Sequence, residues 1–202
     1  MNFLLFLIQL LVICLPCISI NVTELVYDTE GKELSSKHNY YILPAKHLSG
    51  GGLTAVPSGW LCLHFVHQER NTTVLGTPLR LTPLPWRRST EQPIRLSSDI
   101  WIEFHDFESF CVMRLDWHLT DLSPRALSGR RQLLAAGNQD GGRSFGVFRI
   151  EKPGANMMGY KLMACAKKEV CKGLGLYASK DKTWLAASDE PLMVVFVRKT
   201  SY

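Results

Sequence analysis

Val26-Tyr27-Asp28-Thr29-Glu30-Gly31-Lys32-Glu33-Leu34, followed after five residues by Tyr40-Tyr41-Ile42, is the stretch from which the fold of this chain is read. Asp28 and Gly31 are turn residues: aspartate offers its carboxylate to nearby backbone N–H groups, and glycine accepts backbone angles that other residues resist. Leu34 and Ile42 are core candidates. Tyr40 and Tyr41, adjacent on a predicted strand, point to opposite faces. None of these positions specifies chemistry; they describe a chain that turns and then extends.

Outward from this stretch the same grammar repeats. Short β-rich runs at residues 40–43, 60–66, 100–104, 110–115, 147–150, 160–165, 174–177, 184–187 and 192–197 are separated by turn signals. Among these signals are Ser49-Gly50-Gly51-Gly52, Pro57-Ser58-Gly59, Asn138-Gln139-Asp140-Gly141-Gly142 and Lys152-Pro153-Gly154. Ile100-Trp101-Ile102-Glu103-Phe104 alternates, with both isoleucines and Phe104 on one face and Trp101 and Glu103 on the other. No window carries a convincing helical period. Residues 119–136 are the most ambiguous, and Pro124 and Gly129 argue against a long helix there. Many short strands at this spacing predict an all-β barrel or sandwich. No linker, low-complexity tract or second composition class interrupts it.

The first charged side chain is Glu24, and residues 3–18 are apolar apart from Gln9, Cys14 and Cys17. That run is too short to span a bilayer comfortably and reads as a secretory signal, residues 1–19, cleaved after Ser19 with Cys17 as a competing site. An uncleaved anchor is the competing interpretation. Residues 20–202, about 183 of the 202, then form one domain. The expectation is a secreted monomer, extracellular or vacuolar, with no membrane attachment after signal removal. The formal charge of +5 is scattered, with no basic stripe interleaved with aromatics, so nucleic acid is not expected as a partner.

Four cysteines remain after the signal: Cys62, Cys111, Cys165 and Cys171. An even count in an oxidising compartment implies two disulfides. Three pairings are open; the short spacing favours Cys165 with Cys171, which leaves Cys62 with Cys111. In the chain-entropy model the larger ring stabilises by about 4 kcal/mol and the smaller by about 2 kcal/mol. Asn21-Val22-Thr23 and Asn71-Thr72-Thr73 are glycosylation sequons, which places Asn21 and Asn71 on the surface.

The opening signature resembles that of the plant Kunitz inhibitors typified by soybean trypsin inhibitor. The resemblance continues through Gly50-Gly51-Gly52-Leu53, Ser98-Asp99-Ile100-Trp101-Ile102-Glu103-Phe104, Tyr160-Lys161-Leu162 before Cys165, and Asp189-Glu190-Pro191-Leu192-Met193-Val194-Val195-Phe196. It covers essentially the whole mature chain, and the four cysteines fall where the family has its two bridges. The resemblance implies a β-trefoil of twelve strands, six closing a barrel and six capping it, with pseudo-threefold symmetry.

It also implies a function: an endopeptidase inhibitor, serine proteases foremost, that presents a rigid substrate-like loop. Between Cys62 and Cys111 the chain reads Gly76-Thr77-Pro78-Leu79-Arg80-Leu81-Thr82-Pro83-Leu84-Pro85-Trp86-Arg87-Arg88. A gap-free count places the family's scissile pair on Leu84-Pro85, making Thr82, Pro83, Leu84, Pro85, Trp86, Arg87 and Arg88 the reactive loop. Leu84 suits an apolar pocket of chymotrypsin-like or subtilisin-like type. A slipped register makes Arg87 or Arg88, or more distantly Arg80, the specificity residue for a trypsin-like enzyme. Two residues depart from the family pattern. Pro85 makes the bond after Leu84 a tertiary amide without an N–H. Ser36 stands where many members have an asparagine bracing the loop. The alternative function is a non-inhibitory storage, defence or other binding protein on the same scaffold, miraculin-like or amylase-inhibitor-like. Leu63 after Cys62 replaces the proline of the chlorophyll-binding members' motif, which argues against pigment binding.

Other chemistry is discounted, and the chain is not read as an enzyme. Gly142-Arg143-Ser144-Phe145-Gly146 fits G-x-S-x-G but lacks the strand-before, helix-after context of a nucleophile elbow. His64 and His67 point to opposite faces of one strand and make no metal pair. His38, His47, His105 and His118 have no carboxylate or cysteine at ligand spacing and are read as surface or hydrogen-bonded. Gly50-Gly51-Gly52 is a turn, not a phosphate loop. Met157, Met158 and the tryptophans are read as packing residues. No cofactor and no metal is expected.

Overall fold

Alternation of buried and half-exposed residues recurs along the strands of this chain and sets their inner faces. The computed structural model describes residues 23–57, 62–86, 91–107, 114–122, 131–137, 146–154, 157–166, 170–179 and 182–200. Its strands are β1 (Asn39–Pro44), β2 (Leu53–Pro57), β3 (Leu63–Gln68), β4 (Leu79–Pro83), β5 (Ile100–Phe104), β6 (Leu115–Thr120), β7 (Leu133–Gly137), β8 (Val147–Glu151), β9 (Tyr160–Ala166), β10 (Val170–Ser179), β11 (Lys182–Ser188) and β12 (Met193–Arg198). Every pairing among them is antiparallel, and no helix occurs among the described residues.

Six strands close a ring: β1 pairs β4, β4 pairs β5, β5 pairs β8, β8 pairs β9, β9 pairs β12, and β12 returns to β1. The other six form the hairpins β2–β3, β6–β7 and β10–β11. Their strands β3, β7 and β11 pair mutually into a triangular cap. Each third of the chain thus gives two barrel strands and one cap hairpin, which is the β-trefoil.

The two layers have separate cores. Tyr40, Ile42, Leu79, Leu81, Ile100, Ile102, Phe148, Ile150, Leu162, Val194 and Phe196 pack inside the barrel with Trp117 beneath the cap. The Trp117 ring meets Phe104 and Phe148 edge-on, at centroid separations of 5.3 and 6.0 Å. The cap core takes two residues from each strand of the triangle: Leu63 and Phe65, Leu133 and Ala135, Trp184 and Ala186.

The opening stretch behaves as read: Leu34, Tyr40 and Ile42 are fully buried, Tyr41 is half-exposed, and Gly31 turns at φ 75°. Three strands depart from the expectation. β2 was not anticipated. β4 falls within the stretch read as loop, where Leu79 and Leu81 alternate inward between flanking prolines. β7 is buried along its whole length because the barrel core lies on one side and the cap core on the other, so its residues show no alternation. Of the expected strand at 110–115, residues 110–113 lie outside the described set, Arg114 is not in a strand, and Leu115 opens β6, whose residues 116–120 were not anticipated. The packing role expected of Met157 and Met158 is corrected: they are 54% and 77% exposed, in the turn between β8 and β9. Trp86 is likewise exposed, whereas Trp117 and Trp184 are buried.

Gly50-Gly51-Gly52 is indeed not a phosphate loop. Gly51 and Gly52 donate N–H bonds of 2.7 and 2.8 Å to the Glu69 and Val74 carbonyls, and a Cβ on Gly52 would lie 1.9 Å from the Leu75 carbonyl oxygen. Backbone blocks the space, so Gly52→Ala is expected to lower stability by about 1–3 kcal/mol, read as a lower urea midpoint.

The buried histidines give a second expectation. His64, His67 and His118 are 6%, 7% and 3% exposed, and burial pushes all three below the ordinary value of 6.5. His67 Nε2 lies 3.9 Å from Glu69, but desolvation outweighs that carboxylate, so the contact joins a neutral ring to an anion. The unfolded chain therefore binds protons that the folded chain resists. Stability is fully present above pH 6.5 and falls as pH drops through that value toward the depressed folded values. Urea midpoints measured between about pH 7.5 and about pH 5 should decline in that direction, and His64→Phe should flatten the slope.

Candidate functional site

The segment between β4 and residue 94 is held at both ends. Thr82 and Pro83, expected in the loop, are the last residues of β4, opposite Trp101 and Ile100. Beyond them the Leu84 N–H donates to the Asp99 carbonyl at 2.8 Å. The Asp99 carboxylate in turn accepts from Arg149 Nε on β8 at 2.6 Å, an ion pair that binds this stem across the barrel wall. The chain bends at Leu84 and Pro85, whose peptide bond is cis. Leu84 is half-buried; Pro85 and Trp86 stand exposed, Trp86 at 56%. Arg87 and Arg88 lie outside the described residues.

The returning stem is fixed by the stretch that opened the sequence. Ser36 donates its N–H to the Gln92 carbonyl at 3.0 Å, and its hydroxyl accepts the Gln92 N–H at 3.1 Å. Ser36 thus holds the stem although it is shorter than asparagine. The Ser35 hydroxyl donates to Glu91 at 2.6 Å, and this bond holds the exposed Glu91 carboxyl below the usual range. Lys37 adds a looser contact to Glu91 at 3.7 Å. Deeper in, Ile94 donates to Leu34 and receives from Val26, at 2.8 and 3.0 Å. Sequence reasoning singled out Ser36 but missed Ser35, Glu91, Asp99 and Arg149 as supports. The Ser98-Asp99 pair just before β5 was the available signal.

The remaining predicted residues are dispersed. Cys165 and Cys171 are bonded, with an S–S length of 1.99 Å, directly opposite each other on β9 and β10. Cys62 is disulfide-bonded; Cys111, its expected partner, lies outside the described residues, as do Asn21, Ser144 and the signal at 1–19. Asn71 is exposed in a turn after β3. Arg80 is on the outer face of β4, donating to Asn39 at 3.2 Å, and is not part of the exposed segment. His64 meets Phe107 and His67 meets Trp184, on opposite faces of β3. His105, read as surface or hydrogen-bonded, lies with its Nδ1 2.7 Å from Asp106. Among the described residues no group of three or more His, Cys, Asp or Glu could hold a metal.

The arrangement can present Pro85 and Trp86, exposed between two stems that are anchored to different parts of the barrel. Residues 26–198 match the Kunitz legume family, described as trypsin and protease inhibitor. The chain is 39% identical over 175 residues to the alpha-amylase/subtilisin inhibitor of Oryza sativa subsp. japonica, covering 85% of this chain and 82% of that protein. The solved structure of the rice bifunctional alpha-amylase/subtilisin inhibitor superposes with a TM-score of 0.70 at 36% identity, over 88% of this chain and 99% of the other. The inhibitor in the complex of porcine pancreatic trypsin with soybean trypsin inhibitor superposes with a TM-score of 0.69 at 25% identity, over 87% and 99%.

Proposed function

Because the chain belongs to the Kunitz legume family of trypsin and protease inhibitors, we propose that it inhibits a serine endopeptidase by seating the segment from Leu84 through Arg88 in the enzyme's cleft. The observation that carries this is the double anchorage: Leu84 to Asp99 on one stem and Gln92 to Ser36 on the other, with Pro85 and Trp86 exposed between them. A segment already held in place loses little conformational freedom on binding, so more of its contact energy becomes affinity. Leu84 and Trp86 are the apolar side chains offered, which favours an enzyme with an apolar primary pocket, subtilisin-like or chymotrypsin-like. The protein acts as a secreted monomer, extracellular or vacuolar, after loss of residues 1–19; the Cys165–Cys171 bond supports an oxidising destination.

The test is titration of trypsin, chymotrypsin, subtilisin and papain with the purified, oxidised protein. Stoichiometric inhibition of subtilisin or chymotrypsin is expected; a folded protein that inhibits none of the four overturns the reading. A second activity, inhibition of an α-amylase, is favoured by the name of the rice relative at 39% identity. It is checked by adding amylase to the preformed protease complex.

A further inference from the structure

The turn after β3 is independent of the inhibitory segment, at the opposite end of β4 from Leu84. Here Asn71 Oδ1 accepts twice from one residue: the Thr73 N–H at 3.0 Å and the Thr73 hydroxyl at 2.9 Å. The Asn71 carbonyl receives the Val74 N–H at 3.1 Å, and the turn is seated on Gly51 and Gly52 through their bonds to Glu69 and Val74. The side-chain amide is therefore oriented by its oxygen, while Nδ2 donates to no described residue and Asn71 is exposed. Directly after the turn Val74 and Leu75 are 39% and 42% exposed, two adjacent apolar side chains at the surface.

We propose that Asn71 carries an N-linked glycan that lies over Val74 and Leu75. The chemistry requires Asn-X-Ser/Thr on an accessible surface in a chain that enters the secretory pathway, and the Cys165–Cys171 bond is consistent with that route. In the transfer, Nδ2 forms a bond to the anomeric carbon of a lipid-diphosphate-linked oligosaccharide. The bond from that carbon to the diphosphate oxygen breaks, the lipid diphosphate leaves with the electron pair, and one amide proton passes to the transferase base. The finished fold accommodates the product because Asn71 is exposed, and an oligosaccharide rooted there offers apolar sugar faces to Val74 and Leu75.

The test expresses the full chain with its own N-terminus in a eukaryotic secretory host, beside Asn71→Gln, Thr73→Ala, Thr73→Ser and Asn21→Gln. The expected result is a secreted protein that loses the mass of one glycan on treatment with a peptide N-glycosidase. That loss should persist in Thr73→Ser and Asn21→Gln and disappear in Asn71→Gln and Thr73→Ala. A secreted chain without a glycan, a glycan removed only by Asn21→Gln, or a chain retained in the cytosol overturns the proposal. Enzymatic deglycosylation of the folded wild type tests the covering role without a folding step. It should increase binding of an apolar dye, an increase that Val74→Ser/Leu75→Ser abolishes, and should leave protease inhibition unchanged. Unchanged dye binding removes the covering role.

Discussion

Trp86→Ala is expected to weaken inhibition of a subtilisin-like or chymotrypsin-like protease by about 30- to 700-fold, or about 2–4 kcal/mol, with the stability of the free inhibitor almost unchanged. The two effects separate because the side chain is 56% exposed in the free protein. The side chain is more than half exposed, and surface changes of that kind alter stability within about 0.5 kcal/mol. In the proposed complex the same indole enters a desolvated centre, where tryptophan is among the side chains that carry most of the energy. Leu84→Arg is the companion variant. Its backbone N–H still bonds Asp99, but an apolar enzyme pocket that accepts leucine rejects a guanidinium. Loss through Leu84→Arg alone would put the primary contact where the gap-free count puts it; loss through Trp86→Ala alone would move it past the bend. Inhibition constants unchanged in both would take the segment out of the binding surface, and Tm measurements on both variants exclude unfolding as the cause.

The barrel was legible where a strand has one wet face. Ile100, Ile102 and Phe104 are buried while Trp101 and Glu103 are half-exposed, so period-two alternation reports β5 directly. The cap was less legible at β7, which is buried on both faces, and a fully buried strand has no period to read. Leu133-Leu134-Ala135-Ala136-Gly137 also lacks the β-branched and aromatic residues that mark strands, and its strand state comes from pairing with β3 and β6. The ring closure, β5 to β8 and β12 to β1, joins residues distant in sequence, and only the resemblance to a known family supplied it.

The proposed inhibitory segment stands out in the sequence, but the groups that support it do not. Prolines and an exposed tryptophan between two apolar runs mark a surface excursion. The groups that fix it are long-range: Arg149 reaches Asp99 across 50 residues, and Ser35 reaches Glu91 across 56. No local window contains either pair. The support of the proposed inhibitory segment is therefore partly written in the opening stretch, whose Ser35 and Ser36 hold the returning stem.

That dependence gives the second large expectation: Asp28→Ala should destabilise the fold by about 3–5 kcal/mol. The Asp28 side chain is fully buried, with Oδ1 accepting the Glu30 and Lys32 N–H groups at 3.0 and 2.9 Å and Oδ2 lying 3.3 Å from Arg198 Nε. Alanine leaves the Glu30 and Lys32 N–H groups without their side-chain acceptor and the Arg198 guanidinium, which keeps its bond to the Glu33 carbonyl, without its counter-charge; losing one member of a buried pair is far costlier than never having built it. Asp28→Asn keeps an oxygen for the two N–H groups and should cost less. Arg198→Met should recover part of the loss in the Asp28→Ala background, because it removes the unpaired charge. Urea unfolding of the four proteins measures the cycle, and a loss below about 1 kcal/mol for Asp28→Ala would contradict the argument. The consequence reaches the inhibitory segment, since Leu34 bonds Val26 across this turn and both bond Ile94. Loosening the turn frees the stem at residues 91–94, so Asp28→Ala should be cleaved between residues 84 and 91 by the protease that the wild type inhibits.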